Sequence, residues 1–217
     1  MIIYSPRRTR IAFSVRPEDG RLEIRAPQGV SEKRLLEIAT ANRAVIEDLY
    51  RRMEHYRARL PRFRFVEGEH FLLLGREYEL RFSRRILAFD DAFIVPRGDG
   101  EAVKNALEKL YRRLAREMIG RKVREQADRF NLTYRTIRIG GASTRWGSCN
   151  RNGDLNFTWK LIQCPEPVVD YVIIHELAHR LELNHSARFW AAVRRMCPDY
   201  KARQQFLKEN AARFSGW

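Results

Sequence analysis

The chain has 217 residues, of which 44% are hydrophobic and 32% are charged. This balance excludes an intrinsically disordered protein, and the length allows one large core or two small ones. No run of 18 apolar residues occurs, which argues against a membrane-spanning helix. The net charge of +15 would attract polyanions such as nucleic acid or nucleotides. A basic surface with no specific partner explains the charge equally well.

The first 99 residues predict a strand-rich, basic part with one long helix. Residues 11–15 and 22–26 alternate in polarity around Asp19-Gly20, which is typical of a β-hairpin. Ser31 fits a helix N-cap, and apolar residues at helical spacings predict one helix from there to about Arg59. Strands are expected again between residues 71 and 95. The break at residues 96–100 places the predicted domain boundary between residues 99 and 100.

Residues 100–217 predict a second domain. An amphipathic helix is expected from Glu101 to about Phe130, followed by strands at residues 137–139, 142–149 and 155–159. Everything after Pro165 has helical patterning. The predicted fold class is therefore α+β.

The most informative motif is His175-Glu176-Leu177-Ala178-His179, which ends an apolar, helix-forming run. Residues four apart share one face of a helix, so His175 and His179 can bind the same metal ion. Glu176 is rotated by about 100° around the helix axis and can reach a metal-bound water. The motif predicts a metal-dependent hydrolase with Glu176 as its general base.

A catalytic zinc ion needs a third protein ligand and one open position. His185 is the first candidate, because Asn184 can end the helix and Ser186 can cap the next one, which leaves His185 at the turn. Glu182, on nearly the same helical face as the first two histidines, and Asp199 are alternatives. Three imidazoles suit Zn²⁺, and one ion per chain is expected.

Two further polar residues are predicted to contact the substrate or a developing oxyanion, Arg145 and Asn156. Arg145 also fits a structural role, stacked on Trp146. The strand over residues 155–159 is expected to be either an edge along which a peptide pairs or an ordinary sheet strand.

These motifs together resemble the YgjP-like metallopeptidase family, predicted bacterial hydrolases related to the SprT-like zinc proteases. The resemblance implies a zincin-like C-terminal part, with a small sheet over a helix that carries two zinc ligands. It implies His175, His179 and His185 as ligands and Glu176 as base. Thr158 stands where the family often has asparagine, and Glu182 where metzincins have glycine. The motifs are Arg145-Trp146-Gly147-Ser148-Cys149, Gly153-Asp154-Leu155-Asn156-Phe157, the histidine motif, Asn184-His185-Ser186 and Phe189-Trp190.

Three functions from different classes are compatible with these residues. A zinc metallopeptidase acting on peptides or proteins is the first. A metal-dependent hydrolase of phosphoanhydrides such as nucleoside triphosphates could use the same activated water, although no Walker-type glycine loop is present. The third function is a basic nucleic-acid-binding module with structural zinc. In such a module Glu176 would have no chemical role.

The cysteines and the first residues of the sequence predict the redox state of the thiols and the cellular location. The three cysteines are widely spaced and form no Cys-x-x-Cys pair, so reduced thiols are expected: Cys149, Cys164 and Cys197. No apolar stretch typical of a signal peptide begins the sequence, so a cytoplasmic location and no membrane partner are expected.

Overall fold

The computed structural model describes residues 1–16, 19–142 and 145–214, and it confirms the α+β class. The chain forms two compact units, Met1–Leu60 and Pro61–Trp217. Within the described ranges, no helix combines the length and the apolar character needed to cross a membrane.

In the first unit, a small sheet precedes two helices. The strands are β1 (Ile2–Ser5), β2 (Ala12–Val15) and β3 (Leu22–Pro27), in the order β1-β3-β2. Strands β2 and β3 form the predicted antiparallel hairpin, whereas the parallel pairing of β1 with β3 was not predicted. The Oγ of Ser31 accepts a hydrogen bond from the backbone N–H of Arg34, as expected of an N-cap.

The prediction of one continuous helix from Ser31 to Arg59 is wrong. The chain forms α1 (Glu32–Ala41) and α2 (Arg43–Ala58), separated by Asn42. Asn42 leaves the helical region with φ −106° and ψ 25°, and its side-chain amide donates to the carbonyl of Ile38 over 2.8 Å. The asparagine therefore ends α1 by satisfying one of its last carbonyls.

The second unit begins with a four-stranded sheet and a long helix. The strands are β4 (His70–Leu73), β5 (Arg76–Ser83), β6 (Ala88–Asp90) and β7 (Ala92–Pro96), in the order β4-β5-β7-β6. Asp99 accepts from the backbone N–H of Ala102 over 2.8 Å and caps α3 (Gly100–Arg129), close to the helix predicted from Glu101 to Phe130.

The division between the units differs from the predicted boundary between residues 99 and 100. Phe93 of β7 is fully buried against Tyr111 of α3, with ring centroids 4.8 Å apart. The hydroxyl of Tyr111 also donates to the carbonyl of Leu72 in β4. Because the four-stranded sheet and α3 share one hydrophobic core, they belong to the same unit. The break in the sequence before α3 is a helix cap rather than a linker.

A second sheet and three helices complete this unit. The strands β8 (Thr136–Gly140), β9 (Gly147–Cys149) and β10 (Asp154–Thr158) have the order β8-β10-β9. Part of the strand predicted over residues 142–149 lies outside the described residues. A 3-10 helix (Trp159–Gln163) leads to α4 (Glu166–Ala178), α5 (Ala187–Met196) and α6 (Tyr200–Phe214).

The position of β10 decides between the two alternatives expected for residues 155–159, in favour of an ordinary sheet strand. This strand pairs with β8 on one side and with β9 on the other, so it is the central strand of its sheet. The segment over residues 155–159 is therefore no free edge for a peptide. Strands β8 and β9 form the two edges instead, and β9 carries Gly147.

Helix α4 is buried along most of its length. Its apolar run is buried, and Ile173 and Leu177 are fully inaccessible. At its first turns, the buried ammonium of Lys122 on α3 contacts Glu166 over 2.6 Å and Asp170 over 2.9 Å. Since a buried ammonium is unfavourable unless paired, these contacts favour one register between α3 and α4.

Candidate metal centre

The three predicted ligand residues lie together. His175 is in the last turn of α4, His179 directly follows the helix, and His185 precedes α5. Their candidate ligand atoms all lie within 4.8 Å of one another. The Nε2 atoms of His175 and His185 are 3.0 Å apart. A tetrahedral zinc ion with Zn–N bonds of ~2.0–2.1 Å would separate its nitrogen ligands by ~3.3 Å, so this spacing suits such an ion.

The ring of His179 is oriented by its own loop. Its Nδ1 lies 3.1 Å from the backbone carbonyl of Glu182 and, as the protonated nitrogen, donates to it. That tautomer leaves the lone pair on Nε2 for a metal, an arrangement that recurs at metal-binding histidines. The three imidazoles thus fit a metal such as zinc in their spacing, and His179 also fits in its tautomer.

The helix ends earlier than its sequence suggested. We expected Asn184 to end it, but α4 stops at Ala178, and His179 is its C-cap. The two alternative ligands stay outside the histidine cluster of the described residues. A carboxylate oxygen of Glu182 accepts from the backbone N–H of Asn184 over 3.4 Å, and Asp199 pairs with Arg203 over 2.8 Å.

Phe189 supports all three imidazoles, a role that the sequence analysis missed. Its ring centroid lies 5.0 Å from that of His175, 4.5 Å from that of His179 and 4.7 Å from that of His185. The predicted N-cap Ser186 accepts from the backbone N–H of Phe189 over 3.4 Å and fixes the first turn of α5. The predicted N-cap Ser186, three residues before Phe189, was the sequence signal that could have indicated this role.

Glu176 lies against the sheet, where only glycine leaves it room. The glutamate is 6% exposed. A Cβ atom added to Gly147 of β9 would come within 2.7 Å of its Cγ and 2.8 Å of its Oε1. Such distances are far inside van der Waals contact, so any other residue at position 147 would displace the carboxylate. The sequence analysis assigned no role to Gly147, although a glycine in a strand often marks a close approach.

Burial sets the protonation of the site. It lowers the pKa of His175 to about 4, with help from the nearby His179 and His185. Burial also lowers the pKa of His179, opposed by its hydrogen bond to Glu182. His175 and His179 are therefore neutral at pH 7, as metal binding requires. Burial raises the pKa of Glu176 to about 8, opposed by the charge of Arg145, and a dication nearby would lower it.

The two predicted polar contacts lie in different places. Arg145 lines a cavity of about 380 Å³ that also contains His175 and Glu176. It also lines a second cavity, of about 420 Å³, whose lining includes Asn156. Asn156 is not among the residues that line the first cavity. The structure thus brings Arg145, but not Asn156, into one cavity with the histidine motif.

Comparison with known proteins places this site in a family. The model of the YgjP-like metallopeptidase domain family matches residues 10–210. The chain belongs to this family. The resemblance stated from the motifs is thereby confirmed over nearly the whole chain. No curated protein matches the chain.

Two solved structures are similar to part of this YgjP-like chain, both with 20% sequence identity. The metallopeptidase zymogen abylysin of Pyrococcus abyssi has a TM-score of 0.40, and the match covers 44% of this chain and 96% of that one. The metallopeptidase zymogen jannalysin of Methanocaldococcus jannaschii has a TM-score of 0.35, with 42% and 95% covered. At these scores the likeness supports no conclusion about the site.

Membership of the YgjP-like family decides the class of function. The predicted metallohydrolase of the zinc metallopeptidase class is confirmed, with peptides or proteins as its substrates. The phosphoanhydride alternative is not favoured, and nucleotide or nucleic-acid partners find no support. The family also implies a catalytic metal ion.

Proposed function

We propose that one Zn²⁺ ion is held by His175, His179 and His185, and that Glu176 is the general base of peptide hydrolysis. One observation carries this proposal: the candidate ligand atoms of three imidazoles lie within 4.8 Å of one another, and the buried carboxyl group of Glu176 directly follows the first of these histidines on α4. Three protein ligands leave a tetrahedral ion one position for substrate or water, as in catalytic zinc sites. We further propose that residues 100–217 form a zincin-like part, which the sheet β8-β10-β9 beside α4 supports, and all proposed catalytic groups lie there.

In this proposal the protein residues position the reactants and move one proton. Bound zinc supplies a Lewis acid that polarises the scissile carbonyl and lowers the pKa of water toward 7. The carboxylate of Glu176 accepts the proton of the attacking water. It returns that proton to the amide nitrogen as the C–N bond breaks. Burial of Glu176 keeps bulk water from competing for this transfer.

Arg145 is the residue best placed to contact the substrate carbonyl. Its guanidinium lines the same cavity as Glu176, and its charge acts on that carboxylate. A guanidinium there can donate to the oxygen on which negative charge develops. Asn156, in the second cavity, is proposed to contact the substrate further along its length.

The edge strand β9 offers backbone groups to an extended peptide. The carbonyl of Trp146 accepts from the backbone N–H of Thr158, and the N–H of Asn150 donates back to β10. Because pairing groups alternate along an antiparallel strand, the N–H and C=O groups of Gly147 and Cys149 point away from β10. A peptide that pairs with them would lie beside Glu176.

The test is the substitution Glu176→Gln, which removes the base and preserves the shape of the side chain. We expect hydrolysis of an unfolded protein such as casein to fall by about 10²–10⁴-fold. Elemental analysis should still find one zinc per chain. Glu182→Gln is the matched control, because Glu182 is nearby but outside the cluster, and it should keep both zinc and activity.

Three results would count against this proposal. Full activity of the Glu176→Gln variant would remove the proposed base. Loss of zinc from the Glu182→Gln variant would make Glu182 a ligand. ATP hydrolysis is tested in the same preparation. Zinc-dependent hydrolysis of ATP without cleavage of casein would favour the phosphoanhydride alternative instead.

A further inference from the structure

The 380 Å³ cavity beside Glu176 is built from three elements of the second unit. On α4, Tyr171 and Val172 lie one turn before His175 and Glu176 and share their faces of the helix. On α6, the residues that line the cavity are spaced by three or four positions and so form one face: Gln204, Leu207, Lys208 and Ala211. Trp146 and Gly147, at the start of β9, close the remaining side.

The chemistry of the cavity favours an apolar occupant. Its walls include Tyr171, Val172 and Leu207, each less than 10% exposed, together with the half-buried Trp146. Burial raises the pKa of Tyr171 to about 12, so its hydroxyl is neutral at pH 7. Of the described residues that line the cavity, the charged ones are Glu176 and two exposed cations, Arg145 and Lys208. A basic side chain would therefore meet repulsion at the mouth.

We propose that this cavity receives a bulky apolar side chain, such as that of leucine, methionine or phenylalanine, from a substrate residue next to the scissile bond. The inference rests on the proposed function, because it places the scissile carbonyl beside Glu176 and Arg145. From there the neighbouring side chain can enter between α4 and α6. The volume of about 380 Å³ lies within the range of small-molecule pockets, ~300–1,000 Å³.

The size of the preference follows from buried area. Replacing leucine by alanine at the cavity position removes three methylene-sized groups from an apolar environment. We therefore expect kcat/KM to fall by about tenfold or more. A residue that fills the cavity should abolish this difference. Ala211 is the suitable position, since it lines the cavity on α6 and its side chain is small.

The experiment begins with the zinc-loaded full chain and unfolded casein. Mass spectrometry of the fragments gives the residues on each side of every cleavage, and we expect leucine, methionine and phenylalanine to dominate one of these two positions. Two peptides that differ only there, leucine against alanine, then give the kcat/KM ratio. The ratio should fall toward one in Ala211→Phe and stay unchanged in Ala202→Phe, whose position on α6 is exposed and outside the cavity. Circular dichroism checks that both variants fold.

Several outcomes would overturn the inference. They are cleavage without preference at either position, a preference for acidic residues, or an unchanged ratio in Ala211→Phe. Absence of any cleavage would contradict the proposed function instead. The cavity is then tested by calorimetric titration of the zinc-loaded Glu176→Gln variant with the two peptides. Tighter binding of the leucine peptide supports the inference, and equal or absent binding contradicts it.

Discussion

The two compact units differ in how many of their apolar side chains are buried. Helix α2 in the first unit has 16 residues and none is buried, although its apolar residues recur at helical spacings. Helix α4 in the second unit has 13 residues, of which nine are buried. Large hydrophobic residues of the first unit are also exposed elsewhere: Met1, Ile3, Tyr4 and Leu36.

This difference shows which unit can hold a side chain in a fixed position. A catalytic group needs a fixed geometry, and a helix with most of its residues buried provides it. The proposed base Glu176 and ligand His175 lie on such a helix, α4. A unit with few buried side chains tolerates substitution better and opens locally at lower cost in free energy. The comparison therefore predicts large effects near α4 and small ones at the exposed apolar residues of the first unit.

The largest effect is expected from His179→Ala. Loss of one of three ligands should weaken zinc binding by at least ~100-fold, since even residues that only orient a ligand contribute 10–100-fold. Competition with a chelator measures this affinity. His70→Ala is the matched control, because His70 is exposed on β4 and outside the cluster. Equal zinc affinity in both variants would show that His179 is no ligand.

A smaller effect is expected from Gly147→Ala. The new Cβ would meet the Cγ of Glu176 at 2.7 Å and push the carboxylate aside. A displacement of ~1 Å at a reacting group can cost ~10²-fold in rate, so kcat should fall by about 10–100-fold with zinc retained.

Gly140→Ala is the control for this substitution. Gly140 lies in β8 of the same sheet, and a Cβ there meets nothing within 4 Å. Undiminished kcat in Gly147→Ala, or an equal loss in Gly140→Ala, would mean that clearance around Glu176 does not limit catalysis.

The local features of this site could be predicted from the sequence, because they depend on residues close together in the chain. The spacing of His175 and His179 fixes a shared helix face, and the cap at Ser186 places His185 before α5. The contact between Gly147 and Glu176 joins residues 29 positions apart in the sequence, across a strand and a helix. The hydrophobic periodicity of a strand or helix does not predict a contact between two such distant segments.

The fold errors have the same origin. Apolar spacing continued through Asn42, so one helix was predicted where a side-chain hydrogen bond ends the first of two. The boundary at residue 99 followed from turn-forming residues, but the packing of Phe93 on Tyr111 joins the elements on both sides. The central position of β10 depends on β8, a strand with which it pairs in parallel across a long connection.

A moderate effect on stability is expected from Asp154→Asn. Asp154 is buried at the start of β10, and hydrogen bonds from Arg135, Asn150 and Thr136 hold its pKa well below the usual value. A carboxyl group whose pKa is lowered by folding stabilises the native state above its unfolded pKa of ~3.9. That contribution is lost as the pH falls below ~4 toward the folded pKa.

The variant should therefore be less stable than the natural protein at pH 7, and the difference should shrink between pH 4 and pH 2. Urea unfolding of the metal-free proteins at several pH values measures it without interference from zinc release. A difference that stays constant with pH would mean that the charge of Asp154 contributes nothing.

The smallest effect is expected from Leu36→Ala on α1. Leu36 is 70% exposed and Leu35 is 1% exposed, so these neighbours are a matched pair. Leu35→Ala should lower the free energy of unfolding by ~2–5 kcal/mol through the cavity it leaves, whereas Leu36→Ala should change it by less than ~0.5 kcal/mol. Urea unfolding of the full chain, followed by circular dichroism, gives both values. An equal loss at the two positions would show that the apolar surface of the first unit is covered in solution, and the contrast between the units would then not hold.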